Sequence, residues 1–314
     1  MFPITIILPV YNGMQYLEKS VMSVLNQQFK DFELLIIDDC STDGSWEYLT
    51  KLNDKRVTLF RNEKNSGLFF NLNFLIKKSA SPIIKIWSQD DVMYLDCLKE
   101  VIFFHELHTE IGFSYTDRDI IDKDGTIFNF ERNDATPEIV SPSLHARIAF
   151  ITGSIAGNIS NVAINRRVLD NVGLFNEGMK ISGDFEMWVR LAKDHPVGFI
   201  KKRLIQLRNH NQQLSGQEKY FIFHLREDIE AYKILFSYIS KEEQAEGVRL
   251  LRNSKLLFYY TLMLKAVLKG KFMTGYNFLK LLSSFDNFFI VTGYYIKNKV
   301  IYRKLNTKDF LNNL

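Results

Sequence analysis

Through the first 115 residues, short apolar runs alternate with stretches of helical spacing. Residues 4–9 form a nearly continuous apolar run closed by Pro9, the pattern of a strand covered on both faces. From 14 to 28 the apolar positions Leu17, Val21, Val24 and Leu25 fall on one helical face. The alternation goes on with strands expected at 33–37, 57–60, 83–87 and 112–115, and helices at 43–52, 68–78 and 95–107. Such an order predicts an α/β fold, a mostly parallel sheet flanked by helices. Ligands of these sheets bind at the carboxyl ends of the strands.

The middle, 116–215, is less regular. It carries turn signals at Asp124-Gly125, Gly153, Gly157, Gly173, Gly178 and Gly183, and one clear helical stretch at 184–193. Beyond 216 the spacing is helical almost to the end, with few glycines and no proline. Three stretches follow: an α/β half over 1–115, a second half of the same domain over 116–215, and a helical C-terminal region over 216–314.

Composition narrows the class. Hydrophobic residues at 46% and charged residues at 24% permit a sizeable core. The net charge of +4 is too small to imply nucleic acid. Its distribution matters more: the acidic pairs lie in the first third, while 265–308 is rich in lysine and aromatics and nearly free of acids. Cys40 and Cys97 form neither a CxxC pair nor a disulfide framework, which fits a reducing cytoplasm. The first residues read as a strand rather than a signal peptide, and no clean apolar run of membrane-spanning length occurs.

Polar residues gather where strands are expected to end: Pro9, Tyr11 and Asn12; Asp38-Asp39; Asn65-Ser66-Gly67; Gln89-Asp90-Asp91. Singly, each reads as a turn or a helix cap. Two acidic pairs at the same sheet edge are a stronger signal. Crowded carboxylates raise one another's pKa unless a cation or donors compensate, and a divalent metal with a diphosphate is a natural compensator.

The run from ITIILPVYNG through LLIIDDCSTDGS resembles the opening of a family-2 glycosyltransferase of the GT-A fold, of the type that builds bacterial surface polysaccharides. The resemblance covers about the first 215 residues, with several motifs in the family's order. It implies that Tyr11 and Asp39 hold the nucleotide base, that Asp90 faces the ribose, and that Asp91 binds Mn2+ or Mg2+ on the diphosphate. NSGLFFNLN resembles the family's Asn-x-Gly loop, here Asn65, Gly67 and the later Asn73. In ISGDFEMWVRLA the resemblance makes Asp184 the general base for the acceptor hydroxyl, whereas the residues alone also allow a simple N-cap. Glu186 is a second acid nearby that points elsewhere on the helical wheel, and Trp188 and Arg190 read as scaffold. LRNHNQQLSG resembles a loop closing over the diphosphate, with Arg208 and His210 as its charged members and Gln213 and Ser215 as weaker ones. Ser88, Leu72 and Gly183 depart from the family's common acid, arginine and glutamate.

The reaction so implied is metal-dependent transfer of a sugar, with inversion, from a nucleoside-diphosphate sugar such as a UDP-sugar to a glycan or lipid-linked acceptor. A nucleotidyltransferase or a Rossmann dehydrogenase would want a glycine-rich phosphate loop after the first strand, which LPVYNG does not supply. A non-catalytic nucleotide-sugar scaffold is the rival from another class. For the apolar stretch 285–295, flanked by Lys280, Lys297, Lys299, Arg303 and Lys304, two readings stay open. One is contact with the inner face of the membrane; the other is a cap packed on its own domain or on a second copy.

Overall fold

The computed structural model describes residues 2–128, 135–210 and 218–298. Gln213, Ser215, the boundary at 216 and the basic residues Lys299, Arg303 and Lys304 lie outside the described residues. The first half runs β1 (Ile4–Val10), α1 (Met14–Leu25), β2 (Phe32–Asp38), α2 (Ser45–Leu49), β3 (Val57–Arg61), α3 (Leu68–Lys78) and β4 (Ile83–Ile86). Then come β5 (Val92–Met93), α4 (Cys97–Leu107), β6 (Phe113–Ile121), β7 (Ile127–Phe128), β8 (Ile139–Val140) and α5 (Pro142–Thr152). They are followed by β9 (Val162–Asn165), α6 (Arg166–Val172), α7 (Gly183–Ala192) and β10 (Val197–Arg208). Five helices end the described chain: α8 (Phe221–Tyr238), α9 (Lys241–Asn253), α10 (Lys255–Leu268), α11 (Phe272–Phe285) and α12 (Phe288–Ile296).

One sheet runs β3-β2-β1-β4-β9-β6-β10-β5, with β7 beside β6 and β8 beside β10. Four of the five strands expected from periodicity form its parallel block, in register from Ile4–Phe32 to Val10–Asp38, and the fifth, expected at 112–115, falls at the start of β6. The other half differs from the sequence reading. β9 enters antiparallel between β4 and β6, so the sheet is mixed. β10 pairs parallel with β6 through register irregularities at 200–205, where Lys201, Lys202 and Arg203 face out.

Two apolar layers cover the sheet. Leu17, Val21 and Val24 of α1 pack on one face with Leu98 and Val101 of α4. Leu72 and Leu75 of α3 pack on the other with Trp188 and Leu191 of α7. A third cluster joins α5 and α8–α12, and it also takes Phe185 and Val189 from α7. α7 is therefore buried on two sides, against the sheet and against the C-terminal helices. The stretch 285–295 belongs largely to this third cluster: Val291 is fully buried, and Phe288 and Tyr295 stack on Tyr260. Its open surface is mainly Phe289, with Ile290 half as exposed. The cap reading is the one this packing fits.

Candidate active site at the strand ends

The turn after β1 is held from the neighbouring strand ends. Asn12 has a positive φ of 47°, and its amide oxygen accepts Thr42 N–H at 2.9 Å. Ser41 Oγ accepts Asn12 N–H and Ser45 Oγ accepts Gly13 N–H. Asp43 accepts Met14 N–H, capping the start of α1. Gln89 closes the other side by accepting from Tyr11 N–H at 2.8 Å and donating to Tyr11 carbonyl at 3.1 Å. Asn12 thus serves the turn itself, Pro9 pairs within the sheet opposite Ile37, and the Tyr11 ring is left 48% exposed.

The four aspartates of the two acidic pairs meet separate partners, which answers the crowding expected of them. Asp38 is fully buried and paired with Arg61 at 3.3 Å. Asp39 accepts from Asn62 Nδ2, Ser66 N–H and Gly67 N–H at 2.7, 2.8 and 3.0 Å, fixing the 62–67 loop and the start of α3. Gly67 sits there at φ 90°, a conformation that favours glycine. Asn65 lies exposed on the same loop. Asp91 is 1% exposed; one oxygen accepts Arg208 N–H at 2.9 Å and the other the Ser160 hydroxyl. Burial, with Asp90 beside it, raises the Asp91 carboxyl well above the usual range. Lys85, wholly buried behind it, donates to the carbonyls of Ser160 and Val162.

Asp90 alone of the four turns an oxygen towards solvent, and it meets His210 Nε2 at 3.0 Å. Its charged neighbour Arg208 is buried. Arg208 lies 4.4 Å over the Tyr16 ring and donates to the backbone carbonyls of Asp90 and Asp122. Asp91, expected to bind the metal, accepts one hydrogen bond inside the protein on each oxygen. Asp90 and His210 are the neighbouring side chains that lie nearer the surface. Among the described residues no cluster of three or more His, Cys, Asp or Glu could cage a metal. With Asp90 as the one carboxylate and His210 beside it, the remaining positions would fall to diphosphate oxygens and water.

Asn73 stands apart. It is buried, and its amide donates to Phe175 carbonyl and Glu177 while accepting Phe175 N–H. It pins the loop before α7. Leu72, where a donor-facing arginine is common, is core.

Asp184 occupies the first turn of α7. Ser182 holds the N-cap position, and Asp184 Oδ1 accepts Phe185 N–H at 2.8 Å, so the simple capping role belongs elsewhere. The carboxyl is half-buried, and its surroundings push it up to about 6: desolvation first, with Asp228 and Glu227 adding like charge. Gly183 lies flat against α3, where a Cβ would come 2.7 Å from the Phe69 ring. That ring explains the missing glutamate. It also links the two centres, since Asp39 holds Gly67 and, two residues on, Phe69 touches Gly183. Glu186 and Arg190 form a bidentate pair at 2.6 and 2.9 Å, and Arg190 also ties down the carbonyls of Val172 and Leu174. The pair thereby braces the segment before α7.

Sequence reasoning missed Glu227. From α8 it accepts three successive backbone N–H groups, those of Lys180, Ile181 and Ser182, at 2.8, 2.9 and 2.7 Å. His224 Nδ1 meets Ser182 Oγ at 3.2 Å, and Asp228 accepts the Tyr259 hydroxyl. A glutamate in a long amphipathic helix carries no local sign of such a task.

Known proteins share both sequence and fold with this chain. An uncharacterized glycosyltransferase of Rickettsia felis is 25% identical over 257 residues, 81% of this chain but 41% of its own length. The chain thus spans about two fifths of that relative. Escherichia coli WcaA, which its name assigns to colanic acid biosynthesis as a glycosyl transferase, is 26% identical over 85% of this chain and 95% of its own. S. aureus TarS, crystallised with UDP-GlcNAc, shares the fold at TM-score 0.70 and 18% identity, over 90% of this chain and 80% of that one. A Pyrobaculum calidifontis mannosyltransferase in complex with GDP-Man and Mn2+ does so at TM-score 0.56 and 14% identity, over 96% and 87%. The family model for glycosyl transferase family 2 matches residues 5–172, more than half of the 314 residues, and the chain belongs to that family.

Proposed function

We propose that this chain transfers a sugar from a nucleoside-diphosphate sugar, a UDP-sugar in the first instance, to a hydroxyl of a glycan or lipid-linked glycan, with inversion at the anomeric carbon. The observation that carries this reading is Asp184, a half-buried carboxyl raised to about 6. It stands across Phe69 from the loop that Asp39 organises. A base poised near neutrality can take a proton from an alcohol as it attacks.

The remaining residues divide the work. The exposed Tyr11 ring offers a face for the base to stack on. Asp39, by accepting Ser66 and Gly67 N–H, would hold the 62–67 loop in shape against the base. Asp90 and His210 would hold Mn2+ or Mg2+, whose charge stabilises the departing diphosphate. Buried Arg208 adds positive charge beneath Asp90 and keeps that turn in shape. The TarS complex with UDP-GlcNAc supports the donor class, and the Pyrobaculum complex with Mn2+ supports the metal. WcaA supports an acceptor in surface-polysaccharide synthesis, and the free thiols of Cys40 and Cys97 suit a cytoplasmic setting.

The test is turnover across a panel of UDP-, GDP- and dTDP-sugars with and without Mn2+. Slow Mn2+-dependent hydrolysis of a UDP-sugar is expected. Asp184→Asn should keep UDP binding and lose roughly two to four orders of magnitude in transfer. An Asp184→Asn protein that transfers at the parent rate would remove the base assignment.

A further inference from the structure

The turn between α10 and α11 projects apolar side chains into solvent. Every residue from 267 to 274 is exposed, with Leu268, Phe272 and Met273 at 86%, 70% and 72%. Gly270 makes the reversal at φ 71°, so the ends of two helices splay these side chains outward from one tip. The buried sides of both helices are already occupied: Tyr259, Tyr260 and Met263 of α10 and Phe278 and Leu282 of α11 lie in the third cluster. The outer side chains are therefore surplus to the bundle.

Their surroundings are basic. Beside the tip a cavity of about 410 Å³ has an apolar floor that includes Phe221, Leu262 and Phe278. Its rim carries Lys219, Lys265, Lys269 and Lys271. One carboxylate among these lining residues, Glu218, is shared by Lys269 at 3.4 Å and Lys271 at 3.8 Å, so the rim keeps a net positive charge. A convex tip of a few side chains is too small for a stable protein interface, which needs roughly 800 Å² from each partner. Apolar residues that can enter the headgroup boundary, ringed by lysines that stay among the anions, match a bilayer surface. No described helix is long and apolar enough to cross a membrane, so the contact is interfacial.

We propose that the α10–α11 tip is a docking surface for an anionic lipid bilayer, with Leu268, Phe272 and Met273 entering the interface and Lys265, Lys269 and Lys271 holding its headgroups. This places the contact on the tip rather than on the stretch 285–295, most of whose apolar side chains the bundle uses.

The 314-residue chain is incubated with vesicles of phosphatidylcholine alone or phosphatidylcholine with phosphatidylglycerol, and the bound fraction is measured by sedimentation. Binding is expected to the anionic vesicles and to weaken with added salt. Phe272→Ser should lower the partition coefficient on the order of tenfold. Each of Lys269→Glu and Lys271→Glu should lower it about fivefold or more. These side chains are exposed, so melting temperature and UDP affinity should match the parent. Equal binding to both vesicle types, no binding to either, or unchanged partition of the variants would each overturn the proposal. So would parent-only self-association in sedimentation velocity, which would assign the tip to a second copy.

Discussion

Glu227 offers a direct way to ask whether the C-terminal helices set up the base. Replacing it with alanine removes the acceptor for three N–H groups, but their losses are unequal. Ser182 is buried, so its N–H would have no water to turn to, at about 1–3 kcal/mol. Ile181 is half-buried and adds about 1 kcal/mol, while exposed Lys180 rehydrates at little cost. Glu227→Ala should therefore destabilise the protein by roughly 2–4 kcal/mol, or several degrees in Tm for a chain of this size. Freed from its clamp, the segment before α7 shifts Asp184. A displacement of about 1 Å costs on the order of a hundredfold in kcat. UDP affinity should hold, because Tyr11, Asp39 and Asp90 lie outside the clamp. Glu227→Gln separates geometry from charge. Its carbonyl can still serve Ile181 and Ser182, so it should cost only about 1 kcal/mol. It removes one of the like charges that raise Asp184, so the acid limb of the pH–rate profile should move below about 6. Thermal melts, UDP calorimetry and kcat across pH for both variants decide the matter. A Glu227→Ala protein with parental Tm and kcat would refute the clamp, and an unmoved acid limb in Glu227→Gln would refute its electrostatic part.

Other outcomes follow from the same geometry. Asp184 has a folded pKa of about 6 against 3.8, so the folded state binds the extra proton between these values and stability falls as pH rises from about 4 to 6. Asp184→Asn should then be more stable than the parent above pH 6, by on the order of 1–3 kcal/mol, with the gain vanishing below pH 4 in melts at each pH. Asp90→Asn should weaken Mn2+-dependent UDP binding in calorimetry at unchanged Tm, whereas Asp91→Ala should lower Tm by leaving the buried Arg208 N–H without its acceptor. Gly183→Ala should cost about 1–3 kcal/mol through its clash with the Phe69 ring, and denaturant melts should recover part of that loss in Gly183→Ala with Phe69→Leu.

What could be read in the sequence was what local spacing carries. The parallel block β1–β4 was legible because each strand is a short apolar run between helices. β9 was not, because four residues, Val162–Asn165, leave no period to detect. Nor was β10, whose run is broken by Lys201, Lys202 and Arg203 where the pairing with β6 slips. The acidic pairs were visible as types, but their division of labour was not. Asp90 and Asp91 are adjacent and chemically alike, and only the long-range arrival of Ser160 and the Arg208 backbone shows which one is spent inside. Nor could the sequence show that Asn73, a polar residue in the family's motif, bonds Phe175 and Glu177 of the loop at 173–179.

The place of β9 in the sheet has a consequence for how the chain comes into being. β4 is made early, yet the strand that covers its open side lies some eighty residues further on, and β9 then bridges to β6 as well. A nascent chain must hold an unpaired apolar edge until that strand arrives, a delay typical of non-local pairings and a window for wrong partners. Ser160 travels immediately ahead of β9 and reaches Asp91 with the same step. Closing the sheet and finishing the acidic turn are thus one event, so a half-synthesised protein does not carry a finished acidic turn.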